Sequence, residues 1–382
     1  MMNSYGVIHN DPEVVSKIVA SQAHHKKIDG HAPGLQGKDL DTYVAAGVYS
    51  DHECATMEDA LAKLQRGQFI MIREGTAARN LEALAPLLTP QYAERCMFCT
   101  DDKHPSDLLE KGHIDYIARE AINKYGVDPI IAVKAACHHA SRYFLLNNRG
   151  AIAPGYLADF AVIDNFKDFN VEMVFKKGVL YWNNGELRDF EAPQIEEYLD
   201  KRAHDTFHVS TLTPDDFRDA RQRGVLGMIP GEIITTDNGY ADHVDLEKDI
   251  LKIAVVERHK GTHHIGLGYI QGYGLKSGAV ATSISHDSHN IIVVGTNSAD
   301  MAFAANYIVE HHGGIVVVEN GTVKGSVVLE IAGIMSDRPL TEVNDQLEAA
   351  KDAAFALGVS RGIDPFMTLS FMALPVIPKL RI

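Results

Sequence analysis

Val48-Tyr49-Ser50-Asp51-His52-Glu53 is a short apolar run that ends in a polar cluster, and Phe69-Ile70-Met71-Ile72-Arg73-Glu74-Gly75 repeats that construction one helix later. Between them, Thr56 to Arg66 has amphipathic spacing, with Thr56 placed to cap it and Glu58 and Asp59 in its first turn. The same construction stands before this unit, where Lys27-Ile28-Asp29 runs into Gly30-His31, and after it, where Cys96-Met97-Phe98-Cys99 runs into Thr100-Asp101-Asp102. His31 and His52 are 21 residues apart, His52 and Arg73 another 21, and Arg73 and Asp101 28. Strands and helices alternating with this period predict a parallel sheet. In a (β/α)8 barrel all strands end at one face, so the clusters would converge there. A Rossmann sheet is the rival arrangement, but it needs a glycine-rich phosphate turn near its first strand, and none is present.

Further helices are expected at Pro12–Ala23, with Asp11 as cap and Pro12 first, at 37–46, near 77–88, at 114–124 and at 128–145. Around Arg149 the pattern changes. Ala158–Asp164, Met173–Lys176 and Val179–Trp182 read as strands of a small β unit, and Asn183-Asn184-Gly185 is a hairpin turn signal. A polar helical stretch, Pro193–Arg202, reads as a connector. Beyond residue 205, strands are expected at 253–256, 278–284, 290–294 and 314–318, and helices at 299–311 and 344–357. The expected organisation is α/β: a partial barrel over 1–146, a small β domain with connector over 147–204, and a mixed α+β domain over 205–382.

Composition bounds the function. The 382 residues carry 51 acidic and 36 basic side chains, a net charge of −15, which argues against nucleic-acid and anionic-membrane partners. There is no apolar run of about 18 residues and no signal-peptide pattern, so a cytoplasmic protein is expected. Four cysteines make no disulfide framework and fit a reducing compartment. Cys96 and Cys99 form a C-x-x-C, but on a strand residues three apart point to opposite faces, which argues against a shared ion.

Two imidazoles and a carboxylate at strand ends are borderline ligands suited to Zn, Mn or Fe(II). A single His31 reads most simply as a hydrogen-bonded strand-end histidine; His52 and Asp101 at matching positions favour a metal site. Glu53, Arg73 and Glu74 read either as contacts to ligand or substrate, or as an internal ion pair of Arg73 with a nearby acid. Asp101 and Asp102 compete for one role, and the first, directly after the strand, is assigned the metal.

The order His, His, Asp at successive strand ends, followed by Gly150-Ala151-Ile152-Ala153-Pro154-Gly155-Tyr156-Leu157-Ala158-Asp159-Phe160-Ala161-Val162-Ile163-Asp164, resembles the amidohydrolase superfamily. Ile28-Asp29-Gly30-His31-Ala32-Pro33-Gly34, Ser50-Asp51-His52-Glu53, Cys99-Thr100-Asp101-Asp102-Lys103-His104-Pro105 and His286-Asp287-Ser288-His289-Asn290 with Val294-Gly295-Thr296-Asn297 are similar to the bacterial adenine deaminase family within it. The resemblance implies hydrolysis of adenine to hypoxanthine and ammonia. Mn(II) is the first candidate metal, with Fe(II) and Zn(II) as alternatives. It makes His31 and His52 ligands from the fifth and sixth barrel strands. Asp101 becomes the eighth-strand ligand that takes the proton from the attacking water, and Glu53 and Glu74 become catalytic-site carboxylates that hold the purine. Arg73, Asp102, His286, Asp287 and His289 are further pocket candidates, the last three on a loop expected to help close the purine pocket. A homo-oligomer is expected.

The same comparison implies that half of the site is missing. Family members carry a first-strand His-x-His and a fourth-strand Glu that directly precedes Met-Met-Asn, whereas this chain opens Met1-Met2-Asn3. Only three of six ligands would then be present, on the C-terminal half of the barrel, in an N-terminally truncated form whose end at Lys379-Leu380-Arg381-Ile382 is also slightly short. A half barrel has exposed edges and an uncovered interior, so the chain should be marginal unless a partner completes it. The alternatives are an amidohydrolase acting on another cyclic amidine or amide, and a catalytically inactive remnant or binding module. Ser285–His289 holds the residue types of a catalytic triad, but adjacency along the chain does not assemble one. Gly266–Gly272 only approximates a dinucleotide fingerprint and reads as a turn-rich strand entry.

Overall fold

Side-chain caps written in the sequence start three helices of the first half, Pro12–Ala23, Met57–Leu64 and Pro129–Val133. The Asp11 carboxylate accepts the N–H groups of Glu13 and Val14 at the head of Pro12–Ala23, and Thr56 Oγ1 accepts that of Asp59 at the head of Met57–Leu64. The computed structural model describes residues 4–76, 78–191, 193–218, 221–229, 234–375 and 380–382, and divides into two units at residues 192 and 193. Met1-Met2-Asn3 and Lys379 lie outside the described residues.

In the first unit, β1 (Ser50–Asp51), β2 (Phe69–Arg73) and β3 (Cys96–Cys99) form a parallel sheet in that order. Ile70, Ile72 and Phe98 pack with Ala60 and Leu84 of the crossover helices and Ile117 of the helix Ile114–Asn123 after β3, the packing a parallel sheet requires. The strand expected at Lys27–Asp29 does not form. Side chains take the polar backbone groups of this segment instead: Tyr143 Oη donates to Ile28 O, Tyr43 Oη accepts from His31 N, and Asp51 Oδ1 accepts from Ala32 N. The helix expected near 77–88 shrinks to Leu81–Leu84 and a 3₁₀ turn, Ala85–Leu87, because Pro86 lacks an N–H and its ring crowds the preceding turn; Ala77 is not described. The helical stretch expected over 128–145 runs from Pro129 to Tyr143, with a π-helical turn at Lys134–His138.

The small β unit follows as β4 (Phe160–Ile163), β5 (Val171–Lys176), β6 (Val179–Asn183) and β7 (Glu186–Leu187), an antiparallel sheet in chain order. Its two tight hairpins need positive φ at both turn residues, and Lys177-Gly178 and Asn184-Gly185 supply it.

The second unit holds an eight-stranded sheet. Its strands are β8 (Arg223–Met228), β9 (Thr235–Ala241), β10 (Ile250–Val256), β11 (Ile265–Gln271), β12 (Ala279–Thr282), β13 (Ile291–Gly295), β14 (Gly314–Glu319) and β15 (Thr322–Val328). The order is β15-β14-β12-β13-β10-β11-β8-β9, antiparallel except where β11 meets β8. Strand alternation sorts two cores. Val280, Ile292, Val294 and Val317 pack with the helix Leu340–Ala356, while Ala281, Val293, Val316 and Val318 pack with the helix Ser298–Glu310. The polar helix Glu197–His204, expected as a connector, falls in this unit. Among the described residues no helix is long and apolar enough to cross a membrane.

Candidate metal centre

The ends of β1 and β2, with the segment that carries His31, gather one buried cluster. His31 Nδ1 and His52 Nε2 each lie 3.3 Å from Glu53 Oε1. Arg73, at the end of β2, donates from Nη1 to the same oxygen and from Nη2 to Glu53 Oε2 at 3.1 Å. A second bond from Arg73 Nη1 reaches Asp101 Oδ2 at 2.7 Å. Arg73 therefore does form the ion pair weighed from the sequence, and it holds two acids rather than one. Glu53 is buried while Asp101 is exposed.

Asp29 sets the orientation of His52. Its Oδ2 accepts the Nδ1–H of His52 at 2.9 Å, and its Oδ1 accepts from Ser50 Oγ at 2.8 Å. That bond leaves His52 Nε2 as the nitrogen facing Glu53, the arrangement that holds a metal-ligating histidine in one tautomer. Burial opposes charge on His52, but its hydrogen bonds to Asp29 and Glu53 prevail and push the imidazole up to about 10. Burial also works against the Glu53 carboxylate, yet contacts with His31 and His52 and the Arg73 guanidinium hold it well below the usual carboxylate range.

The donor set passes a test of fit for a divalent ion. His31 Nδ1 is buried and has no hydrogen-bond partner, although a carboxylate oxygen stands 3.3 Å away. Atoms of His31, His52 and Glu53 lie within 4.8 Å of one another. Two imidazoles and one carboxylate suit Zn, Mn or Fe(II). The sequence reading put Asp101 in this trio and Glu53 at the purine; the structure brings Glu53 to the two histidines and ties Asp101 to Arg73. Asp101 has φ 54°, a left-handed turn immediately after β3 that Asp tolerates.

The remaining candidates have partners of their own. Glu74 pairs through its backbone with Arg79, and its Oε2 accepts Leu81 N at 3.3 Å; burial raises its carboxyl. Asp102 accepts Thr76 N through its backbone oxygen. His286, Asp287 and His289 belong to the second unit. There His286 stacks on Phe371 with centroids 4.6 Å apart, and Asp287 Oδ1 lies 3.4 Å from His286 Nδ1. Asp29 lies inside a quoted cluster to which the sequence assigns it no role. Asp51 likewise stands in a quoted cluster without a role, and Lys63 is missed, although the i,i+4 pair Asp59–Lys63 on the helix after β1 is a signal for it.

Comparison with known proteins agrees over the whole chain. The Amidohydrolase family matches residues 1–181, and the Adenine deaminase C-terminal domain matches 232–382. An adenine deaminase of Desulfatibacillum aliphaticivorans is 45% identical over 390 aligned residues, covering 100% of this chain and 68% of that protein. Adenine deaminases of Dehalococcoides mccartyi and Nitratidesulfovibrio vulgaris are 44% and 42% identical, each covering 100% of this chain and 67% of the relative. The chain thus spans about two thirds of the length of these relatives. Among solved structures, a β-aspartyl dipeptidase of Fervidobacterium islandicum AW-1 is similar at 17% identity and TM-score 0.37, over 48% of this chain and 55% of that one.

Proposed function

Because this chain belongs to the adenine deaminase family, we propose that the His31–His52–Glu53 cluster serves the hydrolytic deamination of adenine to hypoxanthine and ammonia. The observation that carries the reading is the convergence of buried His31 Nδ1 and an oriented His52 Nε2 on one oxygen of the buried Glu53 carboxylate, each at 3.3 Å. A divalent ion bound there supplies Lewis acidity, which makes water a competent nucleophile near neutral pH. We assign Mn(II), with Fe(II) or Zn(II) able to take its place, to His31 and His52 with Glu53. The three parallel strands read as part of a (β/α)8 barrel.

The chain's own residues divide the remaining work. Asp29 holds His52 in one tautomer. Arg73 neutralises Glu53 and anchors Asp101 by Oδ2, which leaves Asp101 Oδ1 outside the ion pair. We assign that oxygen to take the proton from the water that attacks adenine C6 and to return it to the departing amine. The net change is one water consumed and one ammonia released per adenine. Glu74, with its carboxyl raised by burial, is the candidate to meet a purine ring nitrogen.

Purified chain supplied with Mn(II) should release ammonia from adenine, and His52→Ala should remove that activity. A metal-binding module without turnover is the second reading. It is favoured by the Arg73–Asp101 ion pair, which keeps Asp101 out of the His31–His52–Glu53 trio. Stoichiometric Mn(II) binding with no ammonia release would select it; absence of bound metal would defeat both.

A further inference from the structure

Behind the metal cluster lies a second set of buried charges that the reaction does not use. Lys63, on the helix Met57–Leu64, has no exposed side-chain surface. Its ammonium lies within hydrogen-bond distance of four acceptors: Ala32 O at 2.8 Å, Asp51 Oδ2 at 2.9 Å, Asp59 Oδ2 at 2.9 Å and Cys54 Sγ at 3.5 Å. Asp51 is equally buried and fully engaged. Its Oδ1 accepts Ala32 N at 2.9 Å, and its Oδ2 also accepts Glu53 N at 3.1 Å.

The partners make this arrangement more than a buried ion pair. Ala32 directly follows His31, and both its N–H and its carbonyl are held by the Asp51–Lys63 pair. Glu53 directly follows His52, and its N–H is held by the same Asp51 carboxylate. His31 sits on a segment that never joins the strand ladder, so no sheet hydrogen bond fixes its distance from His52. Burying an ammonium this completely is costly unless every proton is satisfied, and replacing the pair by apolar side chains would leave the Ala32 N–H without its acceptor and its carbonyl with Leu35 N alone.

We infer that the Asp51–Lys63 ion pair is the positioning element that sets the spacing of His31 from His52 and Glu53, and through it the affinity of the site for a divalent ion. The inference rests on the metal reading above. Neither residue belongs to the His31–His52–Glu53 trio.

The test compares the unaltered chain with Lys63→Met and Asp51→Asn, using Co(II) alone as the probe. Affinity is read by competition with a chromogenic chelator, geometry by the visible absorption of bound Co(II), and folding by circular dichroism. The expected result is a folded variant with Co(II) binding weakened about 10- to 100-fold, the range typical for residues that orient ligands, and a changed Co(II) spectrum. A folded variant of either kind with unchanged affinity and spectrum overturns the proposal. Failure of both variants to fold also overturns it, since the pair would then serve folding alone. An unaltered chain that binds no Co(II) defeats the metal reading itself, and that outcome is distinct from unchanged variants of a chain that does bind.

Discussion

Asp29 decides which nitrogen of His52 is left for chemistry, because its carboxylate accepts the hydrogen bond that Nδ1–H donates. Asp29→Ala should therefore weaken Mn(II) binding about 10- to 100-fold with little change in circular dichroism, as read by metal competition. Arg73 makes a sharper prediction. Its guanidinium is the cation that Glu53 keeps when no metal is bound, and both side chains are buried. Arg73→Met should cost about 3–5 kcal/mol of stability, the usual loss when one partner of a buried pair is removed. Added Mn(II) should recover part of that loss, since an ion at His31, His52 and Glu53 restores positive charge beside the carboxylate. Thermal unfolding with and without Mn(II) checks both halves. His31, His52 and an Arg73–acid pair were readable because strand ends in a βα repeat are the positions where side chains meet. Asp29 and Lys63 were not. Asp29 reaches His52 across 23 residues, and a lysine on an amphipathic helix is ordinarily a solvated one.

The segment Ile28–Ala32 shows how an element can be placed without a ladder. Gly30 passes so close to β1 that a Cβ there would stand 2.2 Å from Ser50 O and 3.0 Å from Val48 Cγ1. Gly30→Ala must push the His31 segment away, and should cost about 1–3 kcal/mol by overpacking; a lower urea midpoint at unchanged slope would report it. In the second unit, the Glu257 carboxylate accepts the backbone N–H groups of His259, Lys260 and Thr262 and organises the turn after β10. Burial opposes its charge, but these bonds and the Thr262 hydroxyl prevail and lower the carboxyl from 4.5 to about 2. A lowered folded value contributes stability that is full above pH 4.5 and is lost as pH falls through about 2. The stability gap between the unaltered chain and Glu257→Gln should accordingly shrink across that window in denaturant titrations. Strand legibility followed patterning. β13 and β14 are continuous apolar runs and are legible, whereas β9, Thr235–Ala241, contains Asp237-Asn238-Gly239, residue types depleted in strands, and no strand is expected there. Pairing with β8, not local preference, makes it a strand.

At the scale of the whole chain, the two units differ in how far their own residues satisfy them. The parallel sheet of the first unit has three strands, and β3 has no strand beyond it among the described residues. Parallel sheets are normally covered on both faces, and the exposure of Ile152 at 91% and Phe190 at 63% adds apolar surface within the same unit. The second unit carries a core on each face of its sheet, drawn wholly from residues after 193, and its central strands β10, β12 and β13 have neighbours on both sides. Repeated βα units were legible from residue 48 to 100 because helix and strand periods differ, but how many strands close around them is not a local property of sequence. The difference in self-sufficiency predicts that residues 193–382 expressed alone form a soluble, cooperatively unfolding protein. Ile292, fully buried at the centre of one core, supplies the check. Ile292→Ala should lower the stability of that fragment by about 2–5 kcal/mol without changing the denaturant slope. Residues 1–192 alone should instead self-associate, because an unpaired strand edge and exposed apolar side chains favour intermolecular pairing. Sedimentation of the two fragments at matched concentration decides the matter: a monodisperse 1–192 fragment, or an unfolded 193–382 fragment, would contradict this assignment of where the chain's stability resides.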